Sequence, residues 1–350
     1  MTGVTRIAIL GASGSIGRQA LDVVVAHPDR LVVTRSGGRG DDLVGLATAD
    51  DVDLVLVATP GIAGLEATIA ALEAGKRVAL ANKEVLVVAG HLIRAVTGGA
   101  GERLRPVDSE HCALWQCLAG VRAEDVARVT LTASGGPFRD TPLREIPHVT
   151  PERALHHPTW RMGPKVTVDS ATLVNKAYEV IETHWLYGIP YDRIDVTIHP
   201  ESLVHALVEL IDGSVIAQLA EPDMRLPIQY ALLWEHATSP ARRLDLRRGL
   251  ELRFQGEPDP ERYPCFDVVL ATARSGDQRA LIGLSAADEI AVERFLADAL
   301  AFGSISGLLR RGAQLAAGDP RQAPPTLAEI RTIDRAVRLA FTDQPAGIPV

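Results

Sequence analysis

Hydrophobic positions in the first hundred residues fall into short runs separated by amphipathic stretches. Residues 6–10, 31–34, 53–58 and 77–81 are apolar blocks of strand length, and 15–26, 42–47 and 63–74 between them carry helical spacing. Short apolar blocks alternating with helices predict a parallel sheet joined by right-handed crossovers. From about residue 104 to 233 the pattern changes. Strand-like runs at 129–132, 195–198 and 214–219 mix with helical ones at 111–119 and 171–186, and Asp212-Gly213 between two apolar runs predicts a hairpin. Residues 238–264 are rich in Arg, Asp, Glu and Pro and read as a connection. Helical periodicity returns at 267–275, 286–299, 305–312 and 327–340. The expected plan is an α/β unit over 1–105, an α+β unit over 106–235, a linker over 236–264 and a helical domain over 265–350.

At 350 residues, 47% hydrophobic and 23% charged, the chain has the composition of a soluble enzyme with several cores. The formal charge of -8 argues against a general nucleic-acid binder, which needs a basic surface, but leaves room for small anions in a local basic pocket. Cys112, Cys117 and Cys265 have no ligand-like spacing and read as reduced thiols, which suits the cytoplasm. The first residues run directly into a strand pattern, so no signal peptide is expected, and no apolar stretch is long enough to predict a membrane span.

The run Gly11-Ala12-Ser13-Gly14-Ser15-Ile16-Gly17 follows the first strand and opens the first helix. Glycines there permit a tight turn and a close approach to a pyrophosphate, while the helix N-terminus favours an anion. In that setting the sheet reads as a Rossmann-like dinucleotide-binding unit; a Gly-rich turn without a ligand is the bland alternative. The second strand ends at Thr34-Arg35-Ser36-Gly37-Gly38-Arg39 with no acidic residue to accept a ribose hydroxyl, and its arginines suit a 2'-phosphate. NADPH is therefore expected over NADH, although Arg35 and Arg39 are also residue types of any solvated surface.

Asp108-Ser109-Glu110 is read at a strand end, where period two turns both carboxylates the same way. Converging carboxylates are hard ligands for Mg²⁺ or Mn²⁺. Taken alone, Asp-x-Glu is more often the charge pair of a helix N-terminus. Asn175 and Glu179, four apart in a helical run, share a face and add a further oxygen ligand, though such a run is also what a salt-bridged surface helix looks like. The turn at Ser134-Gly135-Gly136 can present a hydroxyl and backbone N–H groups to an anion. The run from His157 to Lys165 mixes Pro and Gly breakers with His, Trp and Met, a composition suited to a lid.

Taken together these segments resemble the 1-deoxy-D-xylulose 5-phosphate reductoisomerase family. The resemblance is carried by 11–17, Ala81-Asn82-Lys83-Glu84, 107–111, 134–138, 157–165, 168–176, 179–185, Ile198-His199-Pro200, 218–227 and 286–290, in family order over nearly the whole chain. It implies an NADP-dependent oxidoreductase that rearranges a small sugar phosphate with a divalent cation (Mg²⁺, Mn²⁺ or Co²⁺) and reduces the product with NADPH, in non-mevalonate isoprenoid biosynthesis. It further implies a homodimer. Residue by residue it makes Asp108, Glu110 and Glu179 the metal carboxylates and Ser134, Ser170, Asn175 and Lys176 the phosphate set. Lys83, Ser109 and His199 take substrate-side positions, with Glu110 beside them, and His157, Trp160 and Met162 belong to the closing loop. Gly11 to Gly17, Gly38, Arg39, Asn82, Glu84 and Gly163 fall on the cofactor side.

The chain departs from the family between the second strand and the strand starting near Asp53. Only residues 40–52 fill that interval, enough for one short helix, so one or more strand-helix units are expected to be missing. Two other readings compete. Another NADPH oxidoreductase, such as a homoserine or aspartate-semialdehyde dehydrogenase, does not call for three carboxylates beside a phosphate set. A non-catalytic sugar-phosphate sensor has little need to keep Asp108, Glu110, Glu179 and Lys176.

Overall fold

The computed structural model describes residues 3–160 and 162–342. Its first sheet holds β1 (Thr5–Leu10), β2 (Leu31–Gly37), β3 (Leu54–Val57), β4 (Arg77–Leu80) and β5 (Leu104–Pro106) in the order β2-β1-β3-β4-β5. All four pairings are parallel. The apolar blocks are continuous because both faces are covered. Ile7, Ile9, Leu54 and Leu56 point into one core and Ala8, Leu10, Val55 and Val57 into the other, all buried.

The connecting helices are α1 (Ser15–Ala26), α2 (Leu43–Thr48), α3 (Leu65–Glu73) and α4 (Lys83–Thr97). The shortened interval holds α2 alone, and β2 is left as the edge of the sheet. Periodicity did not announce α4, whose first half, Val85 to Ala89, is buried on every side.

In the middle of the chain come α5 (Ser109–Cys117), β6 (Val126–Ala133), α6 (Pro151–Ala154), α7 (Pro164–Thr172) and α8 (Val174–Tyr187). β7 (Ile194–Ile198), β8 (Val204–Leu210), β9 (Val215–Leu219) and α9 (Arg225–Leu233) follow. The second sheet is mixed, in the order β7-β6-β8-β9, and β8-β9 is the hairpin expected at Asp212-Gly213. The helix expected over 171–186 is broken. Leu173 sits at φ 58°, a left-handed conformation, and ends α7 one residue before α8 begins. That conformation costs a non-glycine residue about 1–2 kcal/mol; here it is held by burial of the Leu173 side chain and by Thr172 Oγ1, which accepts from Val174 N at 3.4 Å. The break separates Ser170 from Asn175 and Lys176 and aims both groups at one cavity.

Helix α9 does not stay with the sheet that precedes it. Ile228, Ala231 and Leu232 close the Ile7/Ile9 face of the first sheet. After residues 234–263, which hold only a short 3-10 turn and lay Gln255 and Gly256 beside Ile198, come α10 (Pro264–Arg274), α11 (Gln278–Leu296), α12 (Ile305–Ala316) and α13 (Leu327–Thr342). No helix among the described residues is long and apolar enough to cross a membrane.

Candidate active site

A cavity of about 640 Å³ opens where the carboxyl ends of β4 and β5 meet the second sheet. Strand ends of an open parallel sheet are where such folds bind ligands. Lys83 starts α4 directly after β4, and Asp108, Ser109 and Glu110 stand at the start of α5 after β5. Ser134 follows β6, Ser170 lies near the end of α7, and Asn175, Lys176 and Glu179 line one side of α8. All of these line the cavity, as do His157, Trp160, Met162 and Gly163.

The carboxylates converge by a route other than the one expected. β5 ends at Pro106, so Asp108 is the N-cap of α5 and Glu110 lies in its first turn; strand alternation plays no part. Asp108 makes no capping bond, and its Oδ2 accepts from Lys83 Nζ at 2.6 Å instead. One oxygen each from Asp108, Glu110 and Glu179 lie within 4.8 Å of one another. Lys176 Nζ bridges two of them, 2.6 Å from Glu110 Oε1 and 2.5 Å from Glu179 Oε2. Asn175 Nδ2 donates to Glu179 Oε1 at 2.6 Å. Both donors expected to serve phosphate thus also reach the carboxylate set.

Glu182 lies behind this group, its Oε2 3.7 Å from His111 Nδ1. Four buried or nearly buried carboxyl groups therefore face two ammonium groups, an excess of acidic groups that a divalent cation would hold in their charged form. Burial, reinforced by Glu110, lifts the Glu179 carboxyl to about 8. Burial also lifts Glu182 well above the usual range, with Asp108 adding to it. For Asp108 burial pushes the same way, but Lys83 and His111 outweigh it and hold the group below its ordinary value.

On the lid side His157 Nδ1 accepts from the backbone N–H of Thr159 at 3.1 Å and of Trp160 at 2.9 Å. This tautomer leaves Nε2–H to donate, and it stands 3.1 Å from both Ser134 Oγ and Ser170 Oγ. Burial, with Arg139 adding to it, drops the imidazole to about 4, so it is neutral near pH 7. The 157–160 run is thereby tied to Ser134 and Ser170. Trp160 leans over His205 with ring centroids 6.2 Å apart. Arg161 of the same run lies outside the described residues.

At the cofactor end Gly14 caps α1 without a side-chain bond, and no acidic residue occupies the first turn. A Cβ on Gly17 would meet the backbone of Gly11 and Ala12 at 2.4–2.6 Å, so only glycine lets the helix sit this close to the turn. Ser15 and Ile16 line the cavity. The turn fits a pyrophosphate on the first-turn N–H groups.

Three expected site residues turn elsewhere. His199 is fully buried outside the cavity: Nδ1 donates to Arg253 O at 2.8 Å, and Nε2 accepts from Leu203 N and Val204 N at 3.2 Å each. Both ring nitrogens are committed to backbone, so the side chain fastens the β7-β8 loop and has no atom for substrate. Replacing His199 with Ala leaves three backbone groups without partners and should cost about 1–3 kcal/mol of stability, with KM for substrate unchanged; a large rise in KM at full folding would reverse this assignment. Asn82 spends its side chain on Thr59 O, Gly61 O and Val85 N, which leaves only its backbone for a cofactor. Glu84 turns its carboxylate to Lys165 at 3.1 Å. Gly38 and Arg39 lie after β2, away from the main cavity.

His205, Asp223, Met224, Arg225 and Arg242 also line the cavity, and no local pattern in the sequence marks them individually. His205 sits in β8, a strand the pattern did not single out. Asp223 to Arg225 fall within 218–227, a segment that carries the family resemblance, which is the signal that points to them.

Fold and site together define a dinucleotide-type sheet whose strand ends meet a carboxylate cluster suited to a hard cation and hydroxyl groups suited to an anion. Three family descriptions match the chain: "1-deoxy-D-xylulose 5-phosphate reductoisomerase" at 7–39 and 35–90, its C-terminal domain at 104–187, and "DXP reductoisomerase C-terminal domain" at 219–340. The protein of that name from Thermomicrobium roseum is 45% identical over 371 residues, covering 95% of each chain. The one from Chlorobaculum tepidum is 42% identical, covering 95% of this chain and 97% of its own. A crystal structure of a DOX-P reductoisomerase in complex with NADPH, fosmidomycin and magnesium superposes with TM-score 0.88 at 34% identity, covering 97% of this chain and 98% of that one. The Zymomonas mobilis enzyme in complex with NADPH gives 0.86 at 34%, covering 97% and 100%. The chain belongs to the 1-deoxy-D-xylulose 5-phosphate reductoisomerase family. The N-terminal match falls into two pieces that overlap at 35–39, just ahead of the 40–52 interval expected to be shortened.

Proposed function

We propose that the protein is an NADPH- and divalent-metal-dependent reductoisomerase that converts 1-deoxy-D-xylulose 5-phosphate to 2-C-methyl-D-erythritol 4-phosphate, a step of non-mevalonate isoprenoid biosynthesis. The observation that carries this is the gathering of Asp108, Glu110 and Glu179 with Ser134, Ser170, Asn175 and Lys176 around one cavity that reaches the dinucleotide turn. When bound, the cation polarises the substrate carbonyl during carbon-skeleton rearrangement and NADPH supplies the hydride.

Asp108, Glu110 and Glu179 hold the cation, and Lys83 and Lys176 balance their charge. Ser134, Ser170, Asn175 and Lys176 bind the substrate phosphate and so orient the reacting carbons. Ser109, whose hydroxyl donates to Glu110, reaches the substrate from the α5 N-terminus. His157, Trp160 and Met162 close over the site and exclude water from the reactive aldehyde. Ser15 and Ile16 with the turn from Gly11 to Gly17 receive the pyrophosphate.

The protein acts in the cytoplasm, as its three buried free thiols suit, and works as a homodimer. Open edge strand β9 exposes Val215 and Ile216, and the 234–263 arm exposes Leu246, Leu250 and Phe254, apolar surface suited to a second copy. The deciding experiment is NADPH oxidation with 1-deoxy-D-xylulose 5-phosphate, with and without Mg²⁺ or Mn²⁺. Oxidation requiring both substrate and metal supports the assignment, and none with any metal refutes it. Trp160→Ala should lower turnover at least tenfold with NADPH affinity intact; unchanged turnover would count against the lid.

A further inference from the structure

We infer that the adenosine end of the cofactor site takes NADH as well as NADPH, with Asp41 accepting from the ribose hydroxyls of NADH and Arg39 pairing with the 2'-phosphate of NADPH. This rests on the dinucleotide reading proposed above and goes beyond it to cofactor specificity.

Position comes first. In this fold the residue at the carboxyl end of the second strand decides between the two cofactors: an acidic side chain accepts from the ribose hydroxyls, a basic one meets the 2'-phosphate. β2 ends at Gly37, whose carbonyl accepts from Gly11 N at 2.7 Å, so the strand end is bonded directly to the phosphate-binding turn. No side chain projects from Gly37. A Cβ there would meet Leu46 Cδ1 at 2.4 Å and Asp41 Oδ2 at 3.1 Å. The Asp41 carboxylate therefore lies against the strand end, where an acidic side chain at the end of β2 would stand. Its Oδ2 accepts from Gly38 N at 2.8 Å, which fixes it there and leaves Oδ1 for a hydroxyl. Sequence order hid this acid, because it comes four residues after the strand and reaches back.

Charge comes second. Arg35 looks available for a 2'-phosphate in the sequence, but its Nε donates to both carboxylate oxygens of Asp51 at 3.0 and 3.1 Å. Asp42 caps α2 by accepting from Gly45 N at 2.9 Å. Once Arg35 and Asp51 cancel, the loop presents Asp41 and Asp42 against Arg39, which is exposed and has no carboxylate within ion-pair distance among the described residues. A doubly charged 2'-phosphate meets one arginine and two carboxylates here, whereas the uncharged hydroxyls of NADH meet an acceptor. The discrimination usual for a basic strand end is lost.

The test is direct binding, read by nicotinamide fluorescence and independent of turnover, with 5'-AMP and adenosine 2',5'-bisphosphate titrated as competing fragments. NADH is expected to bind within about tenfold of NADPH. Asp41→Asn keeps an oxygen for Gly38 N and removes the charge; it should weaken NADH and strengthen NADPH, moving their ratio about tenfold, the scale of one hydrogen bond to a charged group. Arg39→Ala should weaken NADPH and adenosine 2',5'-bisphosphate about tenfold and leave NADH and 5'-AMP alone. NADPH binding with NADH more than tenfold weaker, or an Asp41→Asn protein with an unchanged ratio, overturns the inference and leaves the cofactor reading standing. If neither dinucleotide binds, both fall.

Discussion

Glu179→Gln should lower metal-dependent turnover by about a thousandfold or more, while the protein stays folded and still binds NADPH. Loss of a transition-state interaction of roughly 4 kcal/mol gives that factor, and a carboxylate in a three-carboxylate cation site is of that kind. The substitution is nearly isosteric: Gln can still accept from Lys176 Nζ at the position of Oε2, and its amide N–H can donate to Asn175 once that side chain turns its unpartnered Oδ1 inward. It also replaces a carboxyl whose charged form is disfavoured by burial, Glu110 and Asp108 with a neutral amide, so thermal stability should hold. The decisive measurement is Mn²⁺ affinity by electron paramagnetic resonance alongside turnover. An unchanged Mn²⁺ affinity would remove Glu179 from the ligand set.

The second large effect lies outside the cavity. Lys165 Nζ is held by Asp169 Oδ2 at 2.5 Å, Asp288 Oδ2 at 2.7 Å and Glu84 Oε1 at 3.1 Å. Those partners come from α7, α11 and α4, so one ammonium joins the three parts of the fold. Lys165→Met leaves three buried carboxyls facing each other, and removing one partner of a buried ionic group costs about 3–5 kcal/mol. The melting temperature should fall by on the order of 10 °C near pH 7. The pH dependence has a definite sign. Burial first, with Asp288 adding to it, raises Asp169, and burial raises Asp288. In the variant both lose the lysine that opposed the rise. The folded state then holds more protons than the unfolded one, so stability falls as pH rises. The deficit should be smallest in mild acid and grow toward neutrality, as melting curves at several pH values would show.

Much of this was legible in the sequence because it was local. Alternating blocks with opposite faces buried gave the first sheet, Asp212-Gly213 gave the hairpin, and the i to i+4 spacing of Asn175 and Glu179 placed both on one side of α8. What stayed hidden depends on partners far along the chain. The carbonyl that commits His199 belongs to Arg253, and the carboxylate that completes the Lys165 cluster is 123 residues away. Helix α4 was missed because its first half is buried all round and so has no polar face to give a period. Asp108 and Glu110 were expected to converge across a strand; they converge at a helix start because β5 is only three residues long.

Helix α9 carries a consequence for how the protein is made. One face of the first sheet needs Ile228, Ala231 and Leu232, which leave the ribosome well over a hundred residues after β5. At roughly 5–20 residues per second, that face waits on the order of ten seconds with only α1 to shield it. The nascent N-terminal unit is thus a natural client for chaperones, and a truncation before α9 should yield a sticky fragment rather than a separable module.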